Sequence, residues 1–434
     1  MRDLFYLEKE WLNSFPAHWK MSRLKDHTVT NTGITFTKAD LVEDGNAVLS
    51  YGQVHAKDNP RTKINHDLIK YIPDSLIQDK EGAKVKKGDY IFADTSEDLE
   101  GCGNCIYVNE DIDLYAGYHT TLLRNQSLKH GLYFAYLFTS APWRSQIRRK
   151  VKSVKLFSVS QGILNQSFII VPPLAEQKAI AAYLDKECGK IGREIELLER
   201  KADSYRRLRR AIINQAVTHG LNSDALTKPS VSSIAFEIPQ SWHEPRIKDI
   251  FDEISIKGHP EEPMLCATQS RGVIPQSLYE NRVVAALTGL ENMKLVEVGN
   301  FVISLRSFQG GIEYAWYRGI ISAAYTILEL GTEHEKSYFR YLLKSTAFVK
   351  LLKKCVTGIR EGQNINYTVL KYEKLPVPPL AEQREIAAYL DEKCGKIDTI
   401  VEKIEYKIER LKQLKRSLIN EVVTGQRAIN TSES

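Results

Sequence analysis

No stretch of the 434 residues is apolar over the roughly 20 positions that a membrane-spanning helix needs, and the opening MRDLFYLEKEW lacks the charged-then-apolar layout of a secretory leader. The chain is therefore read as cytoplasmic, with no membrane partner. Cysteine is scarce. Its six copies include only one close pair, Cys102 and Cys105, which excludes a disulfide framework and suits a reducing compartment. With no second pair to complete a tetrahedral set, no metal is expected at that CxxC. There is no GxxxxGK[ST] loop for a nucleoside triphosphate and no GxGxxG after a strand. Both Pro-Pro pairs are flanked by valine and leucine. They are thus not the Asp/Asn/Ser-Pro-Pro-aromatic turn with which an amino-methyltransferase holds a base swung out of the duplex. No catalytic residue is named and no bound cofactor is expected. Charge is not one-sided either: 60 Lys and Arg against 54 Asp and Glu leave +6, which suits a polyanionic partner without requiring one.

What is present is a repeat, and repeats fix architecture. VPPLAEQKAIAAYLDKECGKI, from Val171 to Ile191, returns 206 residues later as VPPLAEQREIAAYLDEKCGKI, from Val377 to Ile397. The match continues at the same shift, where Leu208, Arg210, Ile213, Asn214, Val217 and Thr218 meet Leu414, Arg416, Ile419, Asn420, Val423 and Thr424. A weaker repeat stands upstream: FPAHWKMSRLKD (Phe15–Asp26) against IPQSWHEPRIKD (Ile238–Asp249), shifted by 223. The frames stay in step while the blocks between them differ in length, giving the order block, helix, block, helix.

Both C-terminal repeats read as helices. Pro172, Pro173, Pro378 and Pro379 suit a first turn, and Glu176 and Glu382 place negative charge where the helix dipole favours it. Apolar residues then recur at steps of four and three. They are Ile191, Ile195, Leu198, Ala202 and Tyr205 in one copy, and Ile397, Val401, Ile404, Ile408 and Leu411 in the other, a coiled-coil seam. Each helix is expected to run about 40 residues, roughly 60 Å, towards Gly220 or Gly425. Neither can bury its stripe alone, so each is the other's simplest partner. Cys188 and Cys394 fall at equivalent positions and read as core. Arg206, Arg207, Arg209 and Arg210 read as a solvated face or subunit contact.

The blocks are mixed. YIFA (Tyr90–Ala93) and NFVIS (Asn300–Ser304) follow Gly-containing turns and read as strands, while GLYFAYLFTS and EKSYFRYLLKST read as amphipathic helices. The fold class is α+β. Residues 1–170 and 221–376 form two globular domains, 171–220 and 377–426 two long helices in an antiparallel coiled coil, and 427–434 a tail, with a pseudo-twofold internal repeat. Trp19 and Trp242, in matching Pro-x-x-Trp entries, read as anchors for each domain's first strand. Between the frames the loops diverge: FADTSEDLEGCGNC stands where ISLRSFQGGIEYA stands in the second copy.

A proline-led PLAEQxxIAxYLD segment, present twice at the head of a long helix and preceded each time by a divergent block, resembles the specificity subunit of type I restriction-modification enzymes. The resemblance implies two target-recognition domains held apart by the helix pair, each reading half of a split double-stranded DNA sequence. It implies partner methylation subunits, in two copies, carrying S-adenosylmethionine chemistry on adenine N6. It also implies restriction motor subunits carrying ATP and magnesium. Groove contacts are then expected from polar and basic residues of the divergent loops. In the first domain these are Tyr51, Gln53, Lys57, Arg61, Thr95 and Ser96, and in the second Gln269, Arg271, Arg306, Gln309, Arg360 and Gln363. Two other readings stay open: a solitary restriction enzyme with an unrecognised catalytic site, and a scaffold whose helices join two protein-binding modules.

Overall fold

The computed structural model describes residues 15–127, 129–153, 156–279, 289–357 and 364–429. It resolves into two compact units, Met1–Leu198 with Tyr406–Ser434, and Glu199–Glu405. Each unit takes one globular block together with a stretch of both long helices. Those helices run over Leu174–His219 (46 residues) and Leu380–Val423 (44 residues), somewhat longer than the spacing of their stripes suggests. The prolines stand immediately ahead of the first turn. The Gln177 N–H donates to the Pro173 carbonyl at 3.0 Å, and Gln383 repeats this with Pro379, so a residue without an N–H of its own opens each ladder. Gly220 (φ 75°) and Gly425 (φ 74°) end the helices in the left-handed conformation that glycine adopts without a Cβ penalty.

In the first unit the start of one helix packs antiparallel on the end of the other. Ile180, Ala181, Leu184 and Cys188 share a core with Leu418, Ile419, Val422 and Val423, and Glu194 pairs with Lys407 at 2.7 Å. Of the stripe residues, Ile408 is buried while Ile191, Ile195, Leu198 and Leu411 are half-buried. The second unit repeats the arrangement with the roles exchanged. Ile213, Ala216 and Val217 pack with Ile386, Ala387, Leu390 and Cys394. Arg209 pairs with Asp398 at 2.9 Å and Arg206 with Glu405. Here Ala202, Ile397 and Ile404 are buried, with Tyr205 and Val401 half-buried. Apolar residues off the stripe behave differently: Leu197, Leu208, Tyr406 and Leu414 are 47–69% exposed.

Each block is built on one four-stranded antiparallel sheet, and the strand order is the same in both. In the first unit the order is Thr28–Thr32, Thr120–Asn125, Tyr90–Ala93, Cys105–Tyr107; in the second it is Phe251–Ile254, Thr326–Leu330, Phe301–Ile303, Glu313–Tyr314. All four residues of Tyr90–Ala93 are buried because this strand has a core on each face. Tyr90 and Phe92 point to the helices, while Ile91 and Ala93 point to a second cluster with Leu49, Val85 and Leu122, the alternation a strand imposes. In the second unit Phe301 and Ile303 face one cluster and Val302 the other. The Gly131–Thr139 helix departs from the amphipathic expectation. Tyr133 to Phe138 are all buried, because the sheet lies on one side and the long helices on the other.

Residues repeated between the helices hold each block to its helix pair. The Tyr133 hydroxyl lies 3.2 Å from the carbonyls of Ile170 and Val423, and the Tyr338 hydroxyl 3.1 and 3.3 Å from those of Pro376 and Val217. Tyr136 donates to Asp185, and Tyr341 to Asp391. The side-chain oxygen of Asn420 accepts the Ala141 N–H at 2.9 Å, as Asn214 accepts that of Ala347 at 3.1 Å. Gln177 and Gln383 donate to the carbonyls of Pro172 and Pro378. Trp19 donates its indole N–H to Glu176 at 2.8 Å, and both Trp19 and Trp242 are buried.

Candidate nucleic-acid interface

In the first unit a cleft of about 730 Å³ opens beside the central sheet, and four of the six residues expected there line it: Tyr51, Arg61, Thr95 and Ser96. Tyr51 begins a one-turn helix, Tyr51–Val54, stitched to the neighbouring loop by Tyr51 N–H to Tyr118 carbonyl and Tyr118 N–H to the Ser50 hydroxyl. The side chain of Gln53 is engaged locally, accepting the Ser50 N–H at 3.0 Å as half of a capping box. Ser96 is buried and donates to the Asp98 carbonyl. Lys57 is exposed and lines an adjoining cleft of about 1160 Å³, which shares Arg61 with the first.

The structure adds residues that the sequence did not single out. His119 lies 3.0 Å from Asp94 and carries φ 54°, rare for a side chain other than glycine. Its ring packs edge-on to Tyr51 at 5.6 Å and against Tyr118 at 4.1 Å. The buried guanidinium of Arg144 donates to the carbonyls of Glu100 and Cys102 and to the Asn104 side-chain oxygen. The Asn104 amide lies 3.0 Å from His55 Nδ1, and His55 Nε2 lies 2.8 Å from the Thr95 carbonyl. Because Arg144 can only donate, it fixes the Asn104 amide with its NH₂ towards His55, so the histidine accepts at Nδ1 and donates at Nε2. One chain of polar bonds therefore shapes the loop that bears Thr95. Burial and, after it, the neighbouring Arg61 and Arg148 bring the Arg144 guanidinium down to about 9. The CxxC lies in the same loop. Both thiols are buried, which pushes Cys105 up to about 12 and Cys102 upward, away from the thiolate form that metals and redox partners need. Among the described residues no group of three or more ligand side chains could hold a metal ion.

In the second unit a groove of about 770 Å³ contains Gln269 and Arg271. The Gln269 amide donates to Gln309 at 3.1 Å, and Arg271 donates to the Leu278 carbonyl. Arg306 is exposed at the head of the short Ser307–Gly310 helix, outside the groove. Arg360 and Gln363 lie outside the described residues. The groove adds Trp316, 45% exposed, with its ring 4.7 Å from Tyr314 and the Arg340 guanidinium over its face at 5.1 Å. Glu313 is buried beneath, both carboxylate oxygens within 2.9 Å of the Lys344 ammonium. Both clefts thus combine guanidinium donors, amides and aromatic faces, the groups that meet base edges and phosphates. Their residues differ although the sheets beneath them match.

Comparison with known proteins points one way. A family model described as the type I restriction modification DNA specificity domain matches residues 16–200 and 239–410. The chain is 26% identical over 310 residues to the type I restriction enzyme MjaVIII specificity subunit of Methanocaldococcus jannaschii, covering 67% of this chain and 69% of that one. It is 19% identical to the EcoKI specificity subunit of Escherichia coli K12, covering 95% and 89%. Among solved structures, a chain from work on complex assembly and conformational transition of the type I R-M system superposes with a TM-score of 0.68 at 18% identity, covering 95% of this chain and all of that one. The HsdS subunit from Thermoanaerobacter tengcongensis gives 0.50 at 19%, covering 96% and 100%. At these identities the superpositions show a shared fold.

Proposed function

Because the chain belongs to the family of type I restriction-modification DNA specificity subunits, we propose that its two blocks read the two halves of a split duplex target for partner subunits that do the chemistry. The chain itself is a recognition subunit, not an enzyme. The observation that carries the split reading is a duplicated frame bearing unlike clefts. The sheets share one strand order and the docking tyrosines and asparagines recur. Yet Tyr51, Arg61 and His119 line one cleft where Gln269, Arg271 and Trp316 line the other. A repeated frame gives both domains equivalent access to DNA, and unlike inserts give each its own base contacts.

On this reading two copies of a methylation subunit dock on the duplicated helix frame and bring S-adenosylmethionine for adenine N6. A restriction motor subunit brings ATP and magnesium. The working compartment is the cytoplasm, where the DNA is. The stripe residues from Ile191 to Tyr205 and from Ile397 to Leu411 form the helix-pair interface, and the DNA contacts come from the loops around the two clefts. Arg306, Gln309, Arg360 and Gln363 remain among the proposed contacts of the second domain. The test is methyl transfer from labelled S-adenosylmethionine to a pool of random duplexes, with and without the methylation subunit. The complex should enrich one split motif, and this chain alone should transfer nothing. Transfer by the chain alone would restore the solitary-enzyme reading, and a complex that enriches no motif would restore the scaffold.

A further inference from the structure

Three non-glycine residues among those described sit at positive φ: Arg61 (65°), Asp79 (59°) and His119 (54°). Two of the three, Arg61 and His119, line the same cleft. Such conformations persist only where the surroundings over-determine them, and they gather at functional sites. For Arg61 the surroundings are explicit. Its N–H donates to the side-chain oxygen of Asn59 at 2.9 Å, and its carbonyl accepts the Tyr107 N–H at 3.0 Å. Asn59 is itself buried and donates to the Val54 carbonyl at 2.7 Å.

The neighbouring guanidiniums are engaged. Arg144 serves the carbonyls of Glu100 and Cys102 and the side chain of Asn104. Arg148 serves the carbonyl and carboxylate of Glu100. Arg61 is left over: half-buried, next to other cations, and with no acceptor for its guanidinium among the described residues. A half-buried cation in that position is costly unless something with acceptors docks on it. A phosphate has acceptors, but with the Glu100 carboxylate already paired to Arg148 the same cleft still carries the carboxylates of Glu97 and Asp98, which would repel it. A guanine–cytosine pair satisfies both signs, since guanine O6 and N7 accept from a guanidinium fork while the cytosine amine donates to a carboxylate.

Resting on the split-target reading above, we propose that Arg61 is a specificity-determining residue that reads a guanine in the half-site of the first domain, with Arg144 and Arg148 as positioning residues that shape the loop around it.

The test uses the assembled methylation complex and sequencing of methylated sites, with two variants. R61K keeps the charge and loses the fork, so a phosphate contact would survive it and a bidentate base contact would not. One position of the first half-site, G·C for the unaltered chain, should become degenerate, with discrimination there falling roughly tenfold to a hundredfold. The other positions and the second half-site should persist, which also reports that the variant folds. R61G relieves the backbone, so its unfolding temperature should hold or rise while the same position is lost. An unchanged motif in R61K, a uniform loss at every position, or degeneracy at an A·T position would overturn the proposal. So would an R61G variant that is less stable and keeps its motif, since that describes a structural arginine. If the unaltered complex enriches no split motif, it is the functional reading that fails, before Arg61 is at issue.

Discussion

Glu313 lies under the second cleft at 2% exposure, with Lys344 against both carboxylate oxygens. Burial pushes its carboxyl up to about 7 from the usual 4.5, and Lys344 pulls the other way. A folded value above the unfolded one means that the folded state holds the proton longer. The contribution to stability is fully present below about pH 4.5 and is lost as the pH rises through about 7. Denaturant unfolding measured from about pH 5 to pH 8 should show stability declining over that window, and E313Q, which cannot ionise, should flatten the decline. An equally steep decline in E313Q would place its origin elsewhere. At this scale the sequence names residue types and not their partners: of the polar residues that the divergent loops offer, Tyr51, Arg61, Thr95 and Ser96 line one cleft. The Ser50-x-x-Gln53 spacing of a capping box does mark Gln53 for a local bond, whereas nothing in residue type shows that Ser96 bonds to Asp98. Nothing in the local sequence marks His119, Asn104 and Arg144, because their partners lie 25 to 49 positions away.

Helix and strand elements were more legible, because a repeat reports on packing. The long helices follow from the stripe and its proline and glycine ends. A further repeat was available in the blocks: YFAYL from Tyr133 to Leu137 against YFRYL from Tyr338 to Leu342. Its tyrosines are the ones that reach helix-side carbonyls and carboxylates, so conformity between copies marked the docking surface. The surrounding helix reads as amphipathic in sequence and is buried instead, because a segment covered on both sides carries no 3.6-residue alternation to read. Two element-level variants follow. Y133F removes one hydroxyl from a buried site and should cost about 1 kcal/mol. N420A removes the side-chain oxygen that satisfies the Ala141 N–H at the head of the Ala141–Lys150 helix, and should also cost about 1 kcal/mol. Both should lower the unfolding temperature of the first unit while the methylated motif stays the same, since neither residue lines the first cleft and Asn420 borders the adjoining one from the long helix, not from the divergent loops. A changed motif would show that the docking contacts tune recognition as well as stability.

For the whole molecule, the duplication makes the two blocks interchangeable on one frame. The blocks enter by matching segments, Phe15–Asp26 and Ile238–Asp249, and leave by matching segments at Val171 and Val377. They meet their helices through corresponding side chains: Tyr133 and Tyr338, Asp185 and Asp391, Asn420 and Asn214. The second block therefore carries what it needs to dock where the first one does. Replacing 15–170 by a second copy of 238–376 should give a chain that folds, because each docking residue finds its usual partner at the same place on the repeat. Such a chain has two identical inserts on a duplicated frame. If each insert reads its own half-site, the two halves of the target must become the same sequence on opposite strands, as they are for a symmetric dimer. Sequencing the sites methylated by the complex of this chimera gives the answer. The first half-site should vanish and the second should appear twice as an interrupted palindrome, whereas survival of any part of the original first half-site would mean that bases are read from outside the exchanged block.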